Sequence, residues 1–342
     1  MSTTLLSKAE KSFIQAGLLS NPPSRADGRS LHDFRTISLE TSVAPLANGS
    51  ARLSIGRNPY DGSGGTEVLA AAKLEVETIQ HGSGGVEGGK IACSVTCSPA
   101  AYPHLSSAAL EDLQYDMTTI LQDTLTHPSL HPKNLGILSG KKSWLLNLDL
   151  VVLVDSGNVY DAIFMAARAA LWDTKVPRTR SVEYKAKKSG TSGIVGGGGK
   201  AGDSGGDMDV DEEVVSGFDT RQIQKATDFE LPDYWDEGEV LDGRQNWPIC
   251  VTLNIVSPVH FLDATSQEEA ATPLRVLLMI SFDSSQSANI QGMRTLGNGE
   301  LTVSQLTGLL KDGEKYAREI WQSLNTKLKE DNIGLIKEKN KF

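Results

Sequence analysis

The stretch KSWLLNLDLVVLVDSGNVYDAIFMAARAAL, residues 142–171, constrains this chain more than any other. Trp144, Leu146, Leu148, Leu150, Val152 and Val154 alternate with their neighbours, which puts them on one face of a strand over 144–154. Leu145, Val151 and Leu153 make the other face nearly as apolar, so the pattern predicts a strand covered on both sides. Asp155-Ser156-Gly157-Asn158 then turns the chain, and an alanine-rich run predicts a helix over 159–172.

The rest of the chain arranges itself around that unit. Residues 7–19 predict an amphipathic helix, with Ser7 and Glu10 at capping-box spacing, and turn-rich NPPSRADGR follows. Strands are predicted at 36–42, 51–55, 67–77 and 90–97, a helix at 107–125 and a short strand at 135–139. After residue 247, strands at 249–256, 259–263, 275–282 and 288–295 precede a helix over 302–328, striped by Ala317, Ile320, Trp321, Leu324 and Leu328.

Between the halves lies AKKSGTSGIVGGGGKAGDSGGDMDVDEEVVSG, residues 186–217, too poor in large apolar groups to order itself. Five segments are expected: an N-terminal helical segment 1–24, a first lobe 25–185, a largely disordered acidic insert 186–246, a second lobe 247–328 and a tail 329–342. Each lobe is a run of strands closed by helices, an α+β plan repeated once. The insert is expected to be a solvated loop, or a docking segment for a basic partner through DMDVDEE, 207–213.

Composition removes several classes of function. A net charge of −10 argues against a protein that grips nucleic acid unaided. No run of about 18 apolar residues spans a membrane, and MSTTLLSKAEKSF has none of the marks of a secretory signal. Three cysteines make no disulfide framework, which suits a reducing compartment. Cys93 and Cys97 share the apolar face of KIACSVTC and lack a second ligand pair for zinc, so they are expected in the core and no metal site is assigned.

Several motif-like stretches fail on chemistry. HGSGGVEGGKI has Gly84, Gly89 and Lys90 at phosphate-loop spacing, but Ile91 stands where a hydroxyl should reach magnesium, and a strand follows instead of a helix. His127 and His131 are four apart, but Pro128 and Pro132 forbid the helix that would align them. His260, at a strand end, is expected to be structural, and no GxSxG elbow is present. In FLDATSQEEA, Asp263, Glu268 and Glu269 gather after a strand, where acids can hold a magnesium ion, share a proton or form a solvated turn.

Taken together, several stretches resemble ribonuclease PH-like proteins. RADGR (25–29) with DFRTISLE is similar to the opening of that family, and NGSARLSIG and TEVLAAAKLEVE are similar to its next strands. The strand, turn and helix of 142–171, then FLDATSQEEA and LGNGELTVSQLTGLLKDGEKYAREI, complete an ordered likeness over roughly 7–182 and 247–325. SKAEKSFIQAGL and GNVYDAI favour one branch of the ring subunits of the eukaryotic RNA exosome over its sister. The resemblance implies a ribonuclease PH-like α+β fold of two βαβ-type lobes, the first like ribosomal protein S5 domain 2 and the second like the family's C-terminal lobe.

It also implies a test of activity. Active members degrade RNA from its 3′ end with inorganic phosphate, holding the phosphate partly with the Thr-Arg pair of an Asp-Gly-Gly-Thr-Arg turn. This chain has Asn158 and Val159 at those two positions, and valine offers neither charge nor donors. Active members also carry an acid pair six residues apart, where this chain has Glu269 and then Arg275, a cation that cannot ligate magnesium. AYPHLSSAALEDL, 101–113, lacks the arginine that relatives place before the first long helix.

The implied function is therefore a catalytically inactive ring subunit without a cofactor, supporting 3′–5′ RNA processing, ribosomal RNA maturation included. Its implied partners are other ribonuclease PH-like chains in a hetero-hexameric ring, RNA-binding cap subunits, an associated hydrolytic ribonuclease, and single-stranded RNA in the shared channel. Its implied residence is nucleus, nucleolus and cytoplasm. Arg25, Arg29, Lys141 and Lys142 are the candidate RNA or interface contacts. The alternatives are an active phosphate-dependent exoribonuclease, or an unrelated α+β metabolic enzyme sharing short motifs.

Overall fold

The computed structural model describes residues 6–57, 64–79, 89–182, 228–231, 238–283 and 285–339. Helix α1 (Lys8–Leu19) starts at a complete capping box, in which the Ser7 amide donates to Glu10 Oε2 at 2.7 Å. The first lobe then builds β1 (Ile37–Thr41), β2 (Gly49–Ile55), β3 (Thr66–Thr78) and β4 (Lys90–Cys97). Helix α2 (Ser107–Leu125), β5 (Gly136–Leu138), β6 (Lys142–Val154) and α3 (Val159–Asp173) follow. The sheet order is β1-β2-β3-β6-β4, with β5 beside β6. Only β4 and β6 are parallel, joined by α2 as a crossover; the other pairs are antiparallel.

Alternation decides which side of that sheet is core. Ile91, Cys93, Val95 and Cys97 are buried, as their period of two requires. Burial pushes the Cys93 and Cys97 thiols up to about 12, so they pack as small apolar groups. On β6, Trp144, Leu146, Leu148, Leu150 and Val152 are buried, while Leu145, Val151 and Leu153 are only half-buried and Val154 is exposed. The expected coverage on both sides is thus corrected: Asn147 is half-buried and Asp149 exposed among those outer residues, which leaves that face partly open in the single chain.

The second lobe contains β11 (Ile249–Val256), β12 (Val259–Phe261), the short helix α4 (Ser266–Ala271), β13 (Leu274–Phe282), β14 (Ala288–Gly297) and α5 (Val303–Lys339). Its order is β12-β11-β13-β14, all antiparallel, so the βαβ crossover belongs to the first lobe alone. Val251, Leu253 and Ile255 of β11 share a core with Leu309, Tyr316 and Ala317 of α5. Cys250 faces the other way and joins the core of the first lobe.

Helix α3 lies between the two sheets and packs on β2 and β3 on one side and on β11 on the other. Every residue from Val159 to Trp172 is buried, and Ala162, Ala166, Ala167, Ala169 and Ala170 let both sheets approach closely. A surface helix would show one apolar stripe; a helix buried all round is enclosed by its neighbours, here the two sheets.

Two segment boundaries need correction. The helix predicted over 302–328 continues to Lys339, so most of the tail assigned to 329–342 is helical. The insert assigned to 186–246 also ends in structure. Strand β7 (Lys175–Val176) pairs with β10 (Glu239–Val240), and β8 (Arg180–Val182) pairs with β9 (Asp228–Glu230). Leu241 is buried and contributes to the main core. The low-complexity run 186–217, DMDVDEE within it, and most of the glycine-rich loop before Lys90 lie outside the described residues. Among the described residues, no helix is long and apolar enough to cross a membrane.

Candidate functional site

The acids of FLDATSQEEA sit where three pieces of chain meet: the segment 25–35, the turn between β6 and α3, and the segment from β12 to α4. Asp263 takes a left-handed conformation, φ +46°, just beyond β12 and is fully buried. Thr265 then caps α4 through a capping box with Glu268, whose Oε2 accepts from the Thr265 amide at 2.8 Å. Glu268 and Glu269 are both buried. The solvated-turn reading of this stretch is therefore corrected: tertiary packing encloses all three carboxylates.

Each carboxylate meets a guanidinium. Arg25 lies over the Phe261 ring, with its side chain sealed from solvent, and donates to Glu268 through Nε at 2.8 Å and Nη2 at 2.7 Å. It also donates to the carbonyls of Leu262 at 3.0 Å and Asp263 at 2.8 Å. Arg29 reaches Asp263 Oδ2 at 2.9 Å and Asp27 at 2.7 Å. Arg35 brackets Asp263 from Nη2 at 2.7 Å and Nε at 2.9 Å, and its amide donates at 2.6 Å.

The same Arg35 fork also holds the β6–α3 turn of its own lobe, donating to the carbonyls of Ser156 at 3.1 Å and Gly157 at 3.0 Å. Asn158, in the position of the family threonine, gives its side-chain amide to Asp263 at 3.0 Å and its backbone N–H to Glu269 at 2.7 Å. Arg275 closes the set with Glu269 at 2.9 Å.

Electrostatics follow from these contacts. Burial raises the Asp263 pKa, but the bonds and charge of Arg35, joined by Arg29, outweigh it and hold the carboxyl below its ordinary range. Burial pushes Glu269 up, and Asp155 adds to that, against the pull of Arg275 and the Asn158 amide. These residues do not fit a magnesium site, since the oxygens a hard cation would need already accept from guanidinium groups. Among the described residues, no group of three or more His, Cys, Asp or Glu could hold a metal.

Val159 is buried at the start of α3 as part of the core. Arg25 and Arg29, proposed for RNA or an interface, are brought into the seam; Arg25, fully enclosed, is corrected to a folding role. Lys141 and Lys142 lie at the opposite end of the 13-residue β6, about 40 Å from the turn at Asp155. There Lys142 pairs with Asp228 at 3.0 Å and lies over the Phe229 ring. His260 stacks on His32 and bonds to Tyr316, and His131 bonds to the Gly89 carbonyl at 2.9 Å. Sequence reasoning missed Arg35, the strongest link between the lobes, because no local period marks a residue whose partners are distant in the chain.

Comparison with known proteins agrees with this architecture. Residues 33–177 match the family model described as 3′ exoribonuclease family, domain 1. An exosome complex component Rrp42 from Methanocella arvoryzae is 30% identical, aligned over 95% of this chain and 98% of its own length. The chain belongs to the Rrp42 family of ribonuclease PH-like proteins. A Dictyostelium discoideum protein named as an exosome complex exonuclease RRP42 is 25% identical over 95% of this chain and 98% of its own length. Among solved structures, the Archaeoglobus fulgidus exosome with RNA bound to the active site contains a chain that superposes with TM-score 0.62. That match covers 92% of this chain and 97% of the other at 19% identity, and so shows the shared fold.

Proposed function

We propose that this Rrp42-type chain is a catalytically inert ring subunit of the RNA exosome. It supports 3′–5′ RNA processing, ribosomal RNA maturation included, by helping to build the channel for single-stranded RNA. Its neighbours are other ribonuclease PH-like chains in a hetero-hexameric ring, with RNA-binding cap subunits and a hydrolytic ribonuclease on the assembly. It works in the nucleus, nucleolus and cytoplasm.

One observation carries the inert reading: Glu269 is bonded to Arg275 at 2.9 Å, where a second carboxylate would have to stand for metal or proton work. Val159 supports it, because a buried valine cannot hold a phosphate dianion. Losing one such electrostatic contact removes roughly 2.7–4 kcal/mol of transition-state stabilisation. The other reading, an active phosphorolytic exoribonuclease, draws on the family description, which carries the word exoribonuclease, and on the name of the Dictyostelium protein, whereas the Methanocella relative is named only as a component.

Two measurements decide between them. The endogenous tagged protein, purified gently, is expected in a large complex containing several ribonuclease PH-like chains; a lone chain or small homo-oligomer would sink the ring assignment. The pure chain is expected to release no nucleoside diphosphate from RNA when phosphate is added. Phosphate-dependent release that survives purification and is lost in Glu269→Gln would show an active enzyme.

A further inference from the structure

Asp161 lies in the first turn of α3 and is completely buried where that helix packs on β11. Its Oδ1 accepts a 2.7 Å hydrogen bond from Thr252 Oγ1 of β11, a direct link between the shared helix and the second sheet. Its Oδ2 has no partner. Two more buried acceptors on the same two elements also lack a donor: Asn158 Oδ1 at the start of α3, and Asn254 Oδ1 two residues beyond Thr252.

The charges around this link are engaged elsewhere. Asp263, near enough to act on Asp161, is held by Arg29 and Arg35, and Glu269 is held by Arg275. From β11, Cys250 sets its thiol against the Asp161 carboxyl. Among the described residues, no Lys, Arg or His pairs with Asp161. A bare carboxylate here would be a buried charge without a counter-ion, supported by neutral groups and beside another negative charge. A proton removes the charge and also changes Oδ2 from an acceptor without a donor into a donor, in a place where acceptors are in excess.

We propose that Asp161 is a pH-sensitive tie between the two lobes, binding α3 to β11 while protonated and loosening that seam when it ionises. Burial is the main cause that pushes this carboxyl up to about 7, with Asp263 adding to it against the pull of the Thr252 bond and the nearby Asn158 side chain. The folded chain therefore holds a proton that the unfolded chain, with an ordinary value of 3.8, gives up earlier. Stability from this group is full at low pH, falls as pH rises above the ordinary value and levels off above about 7.

The test compares thermal unfolding of the full-length chain and Asp161→Asn between about pH 5 and about pH 8. Asparagine mimics the neutral acid at every pH, and the comparison cancels what the two proteins share. The wild-type midpoint is expected to fall relative to that of the variant as pH rises. Parallel curves across the range would overturn the proposal. A second arm uses Thr252→Val, which removes the hydroxyl that favours the charged form and should move the wild-type fall to higher pH; an unmoved fall overturns it too. Infrared difference spectra between the wild-type chain and Asp161→Asn give a direct reading and separate this group from Glu269, which burial also pushes up. A buried protonated-carboxyl band should be present near about pH 6 and vanish near about pH 8, and its absence at the lower pH would end the idea.

Discussion

At the scale of single residues, the seam is defined by which oxygen each guanidinium occupies. Asp263, Glu268 and Glu269 are all buried, and Arg25, Arg29, Arg35 and Arg275 supply donors from both lobes. Such pairs add little net stability over apolar groups of the same shape, but breaking one is costly because it strands a charge. Arg275→Ala should therefore lower unfolding free energy by about 3–5 kcal/mol, read by urea denaturation. Replacing Arg275 and Glu269 together with leucines should recover much of that loss. An Arg275→Ala chain as stable as wild type would mean that solvent reaches Glu269 far more freely than the 4% side-chain exposure implies.

At the scale of elements, the turn from β6 to α3 carries the junction. Gly157 has φ +98°, and a Cβ there would stand 2.3 Å from the Ala264 carbonyl oxygen. The Gly157 carbonyl accepts from the Thr66 hydroxyl at 2.5 Å and from Arg35 at 3.0 Å, so the turn cannot withdraw from α4 without losing both. Gly140, in the β5–β6 hairpin, also has a positive φ, +67°, yet a Cβ there would meet nothing within 4 Å. Gly140→Ala should cost only the backbone strain, about 1–3 kcal/mol, while Gly157→Ala should cost clearly more. Equal shifts in thermal midpoint would show that the turn relaxes away from α4 freely.

At the scale of the whole molecule, α3 is buried between both sheets, so neither lobe can lose its half of the interface alone. The core that holds Val159, Phe164 and Trp172 also takes in Trp247 and Cys250 from the start of the second lobe and Leu324 and Leu328 from α5. Arg168, buried in α3, binds the carbonyls of Gln245 and Trp247 and the side chain of Asn325, tying both α5 and the segment that leads into β11 to the same helix. The chain should unfold in a single step. Far-ultraviolet circular dichroism and tryptophan fluorescence should give one coincident transition in denaturant. Two separated transitions would mean that the lobes are stable apart and that α3 belongs mainly to one of them.

Local periodicity by itself determined most of the elements: α2 spans Ser107–Leu125, β4 spans Lys90–Cys97 and β11 spans Ile249–Val256, the spans the alternation and capping residues predict. Motif order determined the family, and the identities at Asn158, Val159 and Arg275 are what the proposed inert reading rests on. Periodicity could not reveal strands such as β7 and β10, two residues each, which exist only because a partner lies alongside. Nor could it tell that Glu268 is buried, because an isolated capping box reads as surface chemistry. Arg25 and Glu268 are 243 residues apart, and their bond depends on how α3 draws the two sheets together. Tertiary structure alone decided that, because burying a charge depends on what surrounds it in space, and nothing in a local pattern encodes that surrounding.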